Sequence, residues 1–167
     1  MCSSDLCPIP QASAAIPDGM AALGTRLFAS VSGTGVFVSL DAGQTWSATG
    51  AGLPPAPQFM DLMAADNKVF CLLADGSLYA SSNLGAVWSL ADRDLAAGVH
   101  ISSIQSTGAS FLAASFDGVF RSETGQTWVR SDTGLRAGSL DGGIRAVGRS
   151  LYCVTFGGVW EIGRAHV

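Results

Sequence analysis

The sequence predicts an all-β fold in which one small unit recurs along the chain, and three observations support this prediction. An eight-residue phrase that ends in tryptophan occurs three times, at residues 39–46, 81–88 and 121–128. The three tryptophans lie 42 and 40 residues apart, a period typical of repeat architectures. Around these phrases, short apolar runs alternate with Gly, Asp, Asn and Ser, and no window shows a helical period.

Each unit is predicted to contain four strands joined by tight turns. In the first unit, an apolar stretch at 20–23 precedes an aliphatic and aromatic run at 27–29. An apolar pair, Val36 and Phe37, follows, and the phrase with its tryptophan completes the unit. Four-stranded units at this period predict the blades of a β-propeller, since two-helix repeats of similar length would show a periodicity of about 3.6 residues.

The repeats also predict the domain organisation. A fourth copy begins at Ile144 and ends at Trp160, so we expect about three complete blades and part of a fourth. Closed propellers usually have about four to eight blades, so an open arc of a larger propeller is expected, with its missing blades as its first partners. The predicted segments are an irregular start at 1–19, blades at 20–59, 60–100, 101–140 and 141–160, and a tail at 161–167.

Both termini resemble a common sequencing adapter. Residues 1–6 and 161–166 can be encoded by two strings that are reverse complements of each other. We therefore expect a fragment of metagenomic origin, with its genuine sequence running from about Cys7 to Trp160.

The tryptophan phrase resembles the Asp-box, also called the BNR repeat, whose pattern is Ser-x-Asp-x-Gly-x-Thr-Trp. The first copy matches this pattern in full; the second has Asn83 for Asp and Val87 for Thr, and the third has Arg121 for Ser and Glu123 for Asp. The resemblance covers roughly residues 20–160. It is nearest to bacterial multi-repeat relatives of photosystem assembly factors, and the repeat also occurs in sialidases, xyloglucanases and the sortilin luminal domain.

The residue types of the phrase suit a turn between two strands. The short carboxylate of Asp41 can accept hydrogen bonds from backbone N–H groups in its own turn, and Gly43 can supply a positive φ. Thr45 suits the start of a strand, and Trp46 can cover the blade with a large apolar ring. We therefore predict structural turn roles for Ser39, Asp41, Gly43, Thr45, Trp46, Ser81, Asn83, Gly85, Trp88, Glu123, Gly125, Thr127 and Trp128.

Composition excludes several classes of function. Only 13% of the residues are charged, and the nine Lys and Arg residues form no basic stripe, so nucleic-acid binding is not expected. No apolar run reaches the length of a membrane span, and no cysteine and histidine spacing suggests a metal site, so no cofactor is expected. Low charge with many Gly, Ser and Thr residues favours an exported bacterial protein, extracellular or periplasmic.

Two functional hypotheses follow from the resemblance. The favoured one is a non-catalytic propeller that serves as a binding or assembly scaffold for a protein or glycan ligand within a larger protein. The alternative is a fragment of a sialidase-like or xyloglucanase-like glycoside hydrolase. The arginine-isoleucine-proline signature of sialidases is absent, and Tyr79 and Tyr152 occupy repeat positions filled by Phe or Leu in other units. No catalytic residue is therefore predicted, and Asp61 and Arg145, on the innermost strand segments, are the candidates for facing the channel.

Overall fold

The computed structural model describes residues 16–92, 94–96, 98–132, 140–147, 150–155 and 158–164. These residues form four antiparallel sheets that follow one another along the chain, with strands in sequential order within each sheet. The first three sheets have four strands and the last has three. The prediction of three four-stranded units and an incomplete fourth is confirmed.

The strands of the four sheets are as follows. The first sheet contains β1 (Gly19–Leu23), β2 (Arg26–Val31), β3 (Gly35–Ser39) and β4 (Ser47–Thr49). The second contains β5 (Phe59–Ala65), β6 (Lys68–Leu73), β7 (Leu78–Ser81) and β8 (Ser89–Leu90). The third contains β9 (Ile101–Ser106), β10 (Phe111–Ser115), β11 (Gly118–Ser122) and β12 (Val129–Arg130). The fourth contains β13 (Leu140–Val147), β14 (Ser150–Thr155) and β15 (Gly158–Arg164).

No residue in the described ranges lies in a helix. Accordingly, these ranges contain no helix that is long and apolar enough to cross a membrane.

The second strand of each sheet carries most of the core. In β6 and β10 nearly every residue is buried, and each strand has a hydrogen-bonded partner on both edges. Such strands are continuously apolar rather than alternating, as the sequences KVFCLL and FLAAS show. The last strand of each four-stranded sheet is only two or three residues long and largely exposed. Short edge strands limit the unpaired backbone that could template aggregation.

The chain divides into two compact units. One comprises the described residues up to Ala74 together with Tyr79–Ser89, and the other comprises Asp75–Leu78 together with the described residues from Leu90 onward. The core of the first unit contains the buried residues Phe28, Val36, Phe59, Leu62, Val69, Cys71, Leu73 and Trp88. The core of the second contains Leu112, Ala114, Val119, Ile144, Leu151 and Cys153. Burial raises the pKa of both cysteine thiols, which keeps them protonated at neutral pH.

The fourth sheet extends past the expected blade boundary. The sequence predicts a tail from residue 161, whereas β15 continues to Arg164 because Ser150 and Leu151 of β14 pair with Arg164 and Gly163. A bulge between Leu151 and Tyr152 adjusts the register so that this pairing can form. The irregular start expected at 1–19 lies outside the described residues, except for its last four positions.

Candidate functional site: the tryptophan turns and the third-sheet cleft

The first turn, residues 39–46, is held by a compact set of hydrogen bonds. The hydroxyl of Ser39 donates to Asp41 Oδ1 at 2.8 Å and accepts the backbone N–H of Gly43 at 2.8 Å. The carboxylate of Asp41 also accepts the backbone N–H of Thr45 at 2.8 Å and its hydroxyl at 2.6 Å. Gly43 has a φ of 90°, and its carbonyl accepts the indole N–H of Trp46 at 3.1 Å. Both carboxylate oxygens are therefore used within the turn.

These hydrogen bonds lower the pKa of the Asp41 carboxyl group. The hydroxyl and backbone N–H of Thr45, followed by the hydroxyl of Ser39, lower the pKa of Asp41 from 3.8 to about 2. Each of these donors favours the charged carboxylate over the neutral acid. Asp41 is therefore ionised at any pH above about 3.

The second turn, residues 81–88, repeats the same geometry with a neutral side chain. The hydroxyl of Ser81 donates to Asn83 Oδ1 at 2.8 Å and accepts the backbone N–H of Gly85 at 2.9 Å. Asn83 Oδ1 also accepts the backbone N–H of Val87 at 2.9 Å. In the first turn, Asp41 Oδ2 accepts the hydroxyl of Thr45. Val87 has no hydroxyl, so the second turn needs no second side-chain oxygen at Asn83.

The third turn, residues 122–128, differs in register from the sequence alignment. Phe111 pairs with Ser122, just as Leu27 pairs with Ser39 in the first sheet. The serine of the third turn is therefore Ser122, and the turn is one residue shorter than the other two. Ser122 accepts the backbone N–H of Gly125 at 2.7 Å.

In the third turn, Thr124 rather than Glu123 makes the contacts that correspond to those of Asp41. Its hydroxyl accepts the backbone N–H groups of Gln126 at 3.2 Å and Thr127 at 3.4 Å, and lies 3.3 Å from the hydroxyl of Thr127. The carboxylate of Glu123 is 81% exposed and lies 3.9 Å from Arg121 Nη2. The structure thus places Arg121 and Glu123 outside the turn contacts.

This shift is hidden when the copies are aligned on their tryptophans. The third strand of each unit gives a better alignment of the copies than the tryptophan does. In every copy, a serine follows the aromatic residue of the apolar pair by two positions. These pairs of residues are Phe37 and Ser39, Tyr79 and Ser81, and Phe120 and Ser122.

The three tryptophans differ in burial. Trp88 and Trp128 are 2% and 6% exposed, whereas Trp46 is half-buried against Ala29, Val31 and Phe37. The indole N–H of Trp128 donates to the carbonyl of Ala91 at 2.6 Å. The indole N–H of Trp88 is buried without a hydrogen-bond partner among the described residues. Trp46 therefore covers its blade less completely than the sequence predicted.

A polar cleft lies beside the third turn. Residues 121–124, 127 and 129–131 line it, and its volume is about 420 Å³. The side chains of Arg121 and Arg130 are 51% and 60% exposed there. We call this depression the third-sheet cleft. A depression of about 300 Å³ in the first sheet is lined by residues 34–37, 48–50 and 53–57, none of which is charged.

Asp61 and Arg145, the candidates for facing the channel, lie on first strands of their sheets, β5 and β13. Asp61 is partly exposed, and its Oδ1 accepts the backbone N–H of Leu62 at 2.8 Å. Arg145 is exposed, and its Nη1 donates to the carbonyl of Ile144 at 3.0 Å. Each side chain therefore contacts the backbone of its own strand.

The other acidic side chains mostly serve local contacts. Asp75 Oδ1 accepts the backbone N–H of Ser77 at 2.9 Å, and Asp92 Oδ2 accepts that of Leu78 at 3.0 Å. Asp132 pairs with Arg130 at 2.8 Å. Within the described ranges, no group of three or more His, Cys, Asp or Glu side chains is placed to hold a metal ion.

Comparisons with known proteins identify the fold. No family model and no curated protein matches the chain. A structure of YCF48 bound to D1 peptide is 18% identical, with a TM-score of 0.61, and the match covers 87% of this chain and 49% of that one. YCF48 from Cyanidioschyzon merolae is 13% identical, with a TM-score of 0.63, over 96% of this chain and 58% of that one.

The chain is also similar to a solved enzyme structure, with an identity and TM-score close to those for YCF48. The GH74 xyloglucanase from Xanthomonas campestris is 19% identical, with a TM-score of 0.62, and the match covers 85% of this chain and 26% of that one. The chain thus spans about half the length of the YCF48 structures and a quarter of the xyloglucanase. These likenesses confirm the predicted fold class, and the chain is a set of β-propeller blades.

Proposed function

We propose that this chain belongs to a non-catalytic β-propeller that binds a protein ligand as part of a larger, exported protein. The main support for this proposal is that several carboxylates are hydrogen-bonded to backbone N–H groups. Asp41, Asp61, Asp75 and Asp92 each accept a hydrogen bond from a nearby backbone N–H, so they stabilise turns and strands. Hydrolysis of a glycosidic bond requires two carboxyl groups that face each other across a cleft.

The similarity to YCF48 supports a protein ligand, because that protein has been solved with a bound D1 peptide. The repeated turns support a scaffold. We propose that all three are Asp-boxes with structural roles, in which Asp41, Asn83 and Thr124 supply the acceptor that fixes the turn. Short, internally bonded turns hold a propeller rigid, and surface loops on a rigid scaffold are common binding sites.

The second candidate function is glycoside hydrolysis, which the likeness to the GH74 xyloglucanase favours. Asp61 would be the first residue to consider, since it lies on the first strand of its sheet and is partly exposed. A single carboxylate is insufficient for either retaining or inverting chemistry, so the partner would have to come from another part of a longer protein.

The two functions can be separated with the full 167-residue chain and two probes. A displayed peptide library measures peptide binding, and xyloglucan oligosaccharides with a reducing-end assay measure hydrolysis. We expect enrichment of specific peptides and no release of reducing ends. Hydrolysis that is lost in Asp61→Asn but retained in Asp66→Asn, a matched substitution in the adjacent turn, would contradict the proposal.

A further inference from the structure

The two arginines of the third-sheet cleft, Arg121 and Arg130, differ in how closely they are paired with a carboxylate. Arg130 is held by Asp132, whose carboxylate oxygens both lie 2.9 Å from its Nε and one of which lies 2.8 Å from its Nη2. The same Nη2 donates to the carbonyl of Asp117 at 2.5 Å. The hydrogen bond with Asp132 holds the pKa of this guanidinium above its usual range. Arg130 is therefore already neutralised and fixed in place.

Within the described ranges, Arg121 is held by one hydrogen bond and makes only a long, exposed ion pair with Glu123. Its Nε donates to the hydroxyl of Ser110 at 3.1 Å, which orients the plane of the guanidinium. Its Nη2 lies 3.9 Å from Glu123 Oε1, a distance too long for a hydrogen bond. Among the described residues, the terminal nitrogens of Arg121 thus donate no hydrogen bond, and Glu123 is their ion-pair partner. Two parallel N–H groups on one guanidinium match the two oxygens of a carboxylate.

The neighbour of Arg121 across the sheet is apolar. Arg121 pairs with Val129 of β12, and directly paired residues in antiparallel strands lie side by side on one face. The side chain of Val129 is 71% exposed. In the described residues, β12 pairs only with β11.

We infer that the third-sheet cleft binds an acidic peptide segment, with a ligand carboxylate on Arg121 and an aliphatic ligand side chain against Val129. This inference rests on the proposed function and adds a location and a ligand class to it. A peptide fits better than an acidic glycan, because no residue lining the cleft is aromatic and Val129 offers an apolar contact beside the positive charge. Glu123 competes with the ligand for Arg121 in the unliganded cleft.

The test is fluorescence anisotropy with the full chain and a labelled eight-residue peptide of alternating glutamate and valine. We expect Arg121→Gln to weaken binding about tenfold, as the loss of one charge-assisted pair predicts. Arg26→Gln is the matched control, since it removes the same charge from β2 of the first sheet and should leave the affinity unchanged. Glu123→Gln should tighten binding about threefold, because it removes the competing carboxylate.

A second peptide, with glutamine in place of glutamate, completes the test. It should bind the wild-type chain about tenfold more weakly, and Arg121→Gln should not weaken it further. Equal binding of the two peptides, or equal effects of Arg121→Gln and Arg26→Gln, would overturn the inference. Binding of an oligogalacturonate through Arg121 without binding of the acidic peptide would also overturn it, in favour of a glycan.

The failure of this inference and that of the proposed function have different signatures. If library peptides bind with an affinity that Arg121→Gln does not change, the chain is a binding propeller whose site lies outside this cleft. If the xyloglucan assay shows hydrolysis that depends on Asp61, the proposed function fails. Arg121 is 51% exposed, so Arg121→Gln should fold, and the intrinsic fluorescence of the tryptophans, of which Trp88 and Trp128 are buried, checks this.

Discussion

The second and third turns depart from the first in different ways. In the second, Asn83 replaces the aspartate and Val87 replaces the threonine, yet the contacts to the serine and the backbone are kept within about 0.1 Å. In the third, one residue is lost, and the hydroxyl of Thr124 accepts the backbone N–H groups instead. Beside the third turn, the charged side chains of Arg121 and Glu123 lie at the surface.

The two departures differ in the kind of acceptor that holds the turn. An isosteric change, from carboxylate to amide, preserves the acceptor and leaves the turn closed. In the third turn, Thr124 follows the serine by two positions, as Asp41 does in the first, so a hydroxyl supplies the acceptor in place of a carboxylate. The second turn is therefore a natural control for the third.

The largest effect should come from the tryptophans that close these two turns. Replacing Trp88 or Trp128 with alanine should each cost about 3–5 kcal/mol, because both rings are buried. Trp46→Ala should cost about 1–2 kcal/mol, because a half-buried ring loses less apolar contact. Urea unfolding of the three variants measures these costs. Equal losses for all three would contradict the difference in burial.

Removing the turn serines should give the next largest effect. Ser81 and Ser122 are both buried, and each accepts the N–H of a buried glycine. Loss of that acceptor should cost about 1–3 kcal/mol, which urea unfolding also measures. Ser81→Ala should be the more costly, since Ser81 also donates to Asn83.

The control for the serine variants is Ser82→Ala. Ser82 is exposed, and its substitution should change the free energy of unfolding by less than about 0.5 kcal/mol. If Ser122→Ala destabilises more than Ser81→Ala, the third turn relies on its serine more than its contacts indicate.

Lowering the pH should destabilise the first turn but not the second, and we expect this effect to be smaller than those of the tryptophan and serine substitutions. The pKa of Asp41 is lower in the folded chain than its usual 3.8, so its contribution to stability is present above that pH and is lost as pH falls towards about 2. Asn83 does not titrate in this range. Asp41→Asn, which gives the first turn the side chain that the second already carries, should therefore reduce the fall in Tm between pH 4 and pH 2. An unchanged fall in Tm would show that the carboxylate is not held by Thr45 and Ser39.

Much of the fold could be predicted from the sequence, because each blade repeats the same order of apolar runs and turn residues. The roles of Thr124 and Ser122 were also encoded, in the spacing from Phe120, but alignment on tryptophan concealed them. The half-burial of Trp46 could not be predicted, since it depends on what packs over the ring. The orientation of the Arg121 guanidinium depends on a hydrogen bond to Ser110, a residue of the loop before β10. No local sequence pattern indicates that contact.

In the third turn, Thr124 has taken the place of the aspartate, and Glu123 is free of the turn. Urea unfolding of Thr124→Val and Glu123→Gln, compared side by side with the wild-type chain, tests this most directly. We predict a loss of about 0.5–1.5 kcal/mol for Thr124→Val, because the backbone N–H groups of Gln126 and Thr127 lose their acceptor. Glu123→Gln should leave the stability unchanged, since its carboxylate is exposed and makes no turn contact. Destabilisation by Glu123→Gln with no effect of Thr124→Val would contradict these roles.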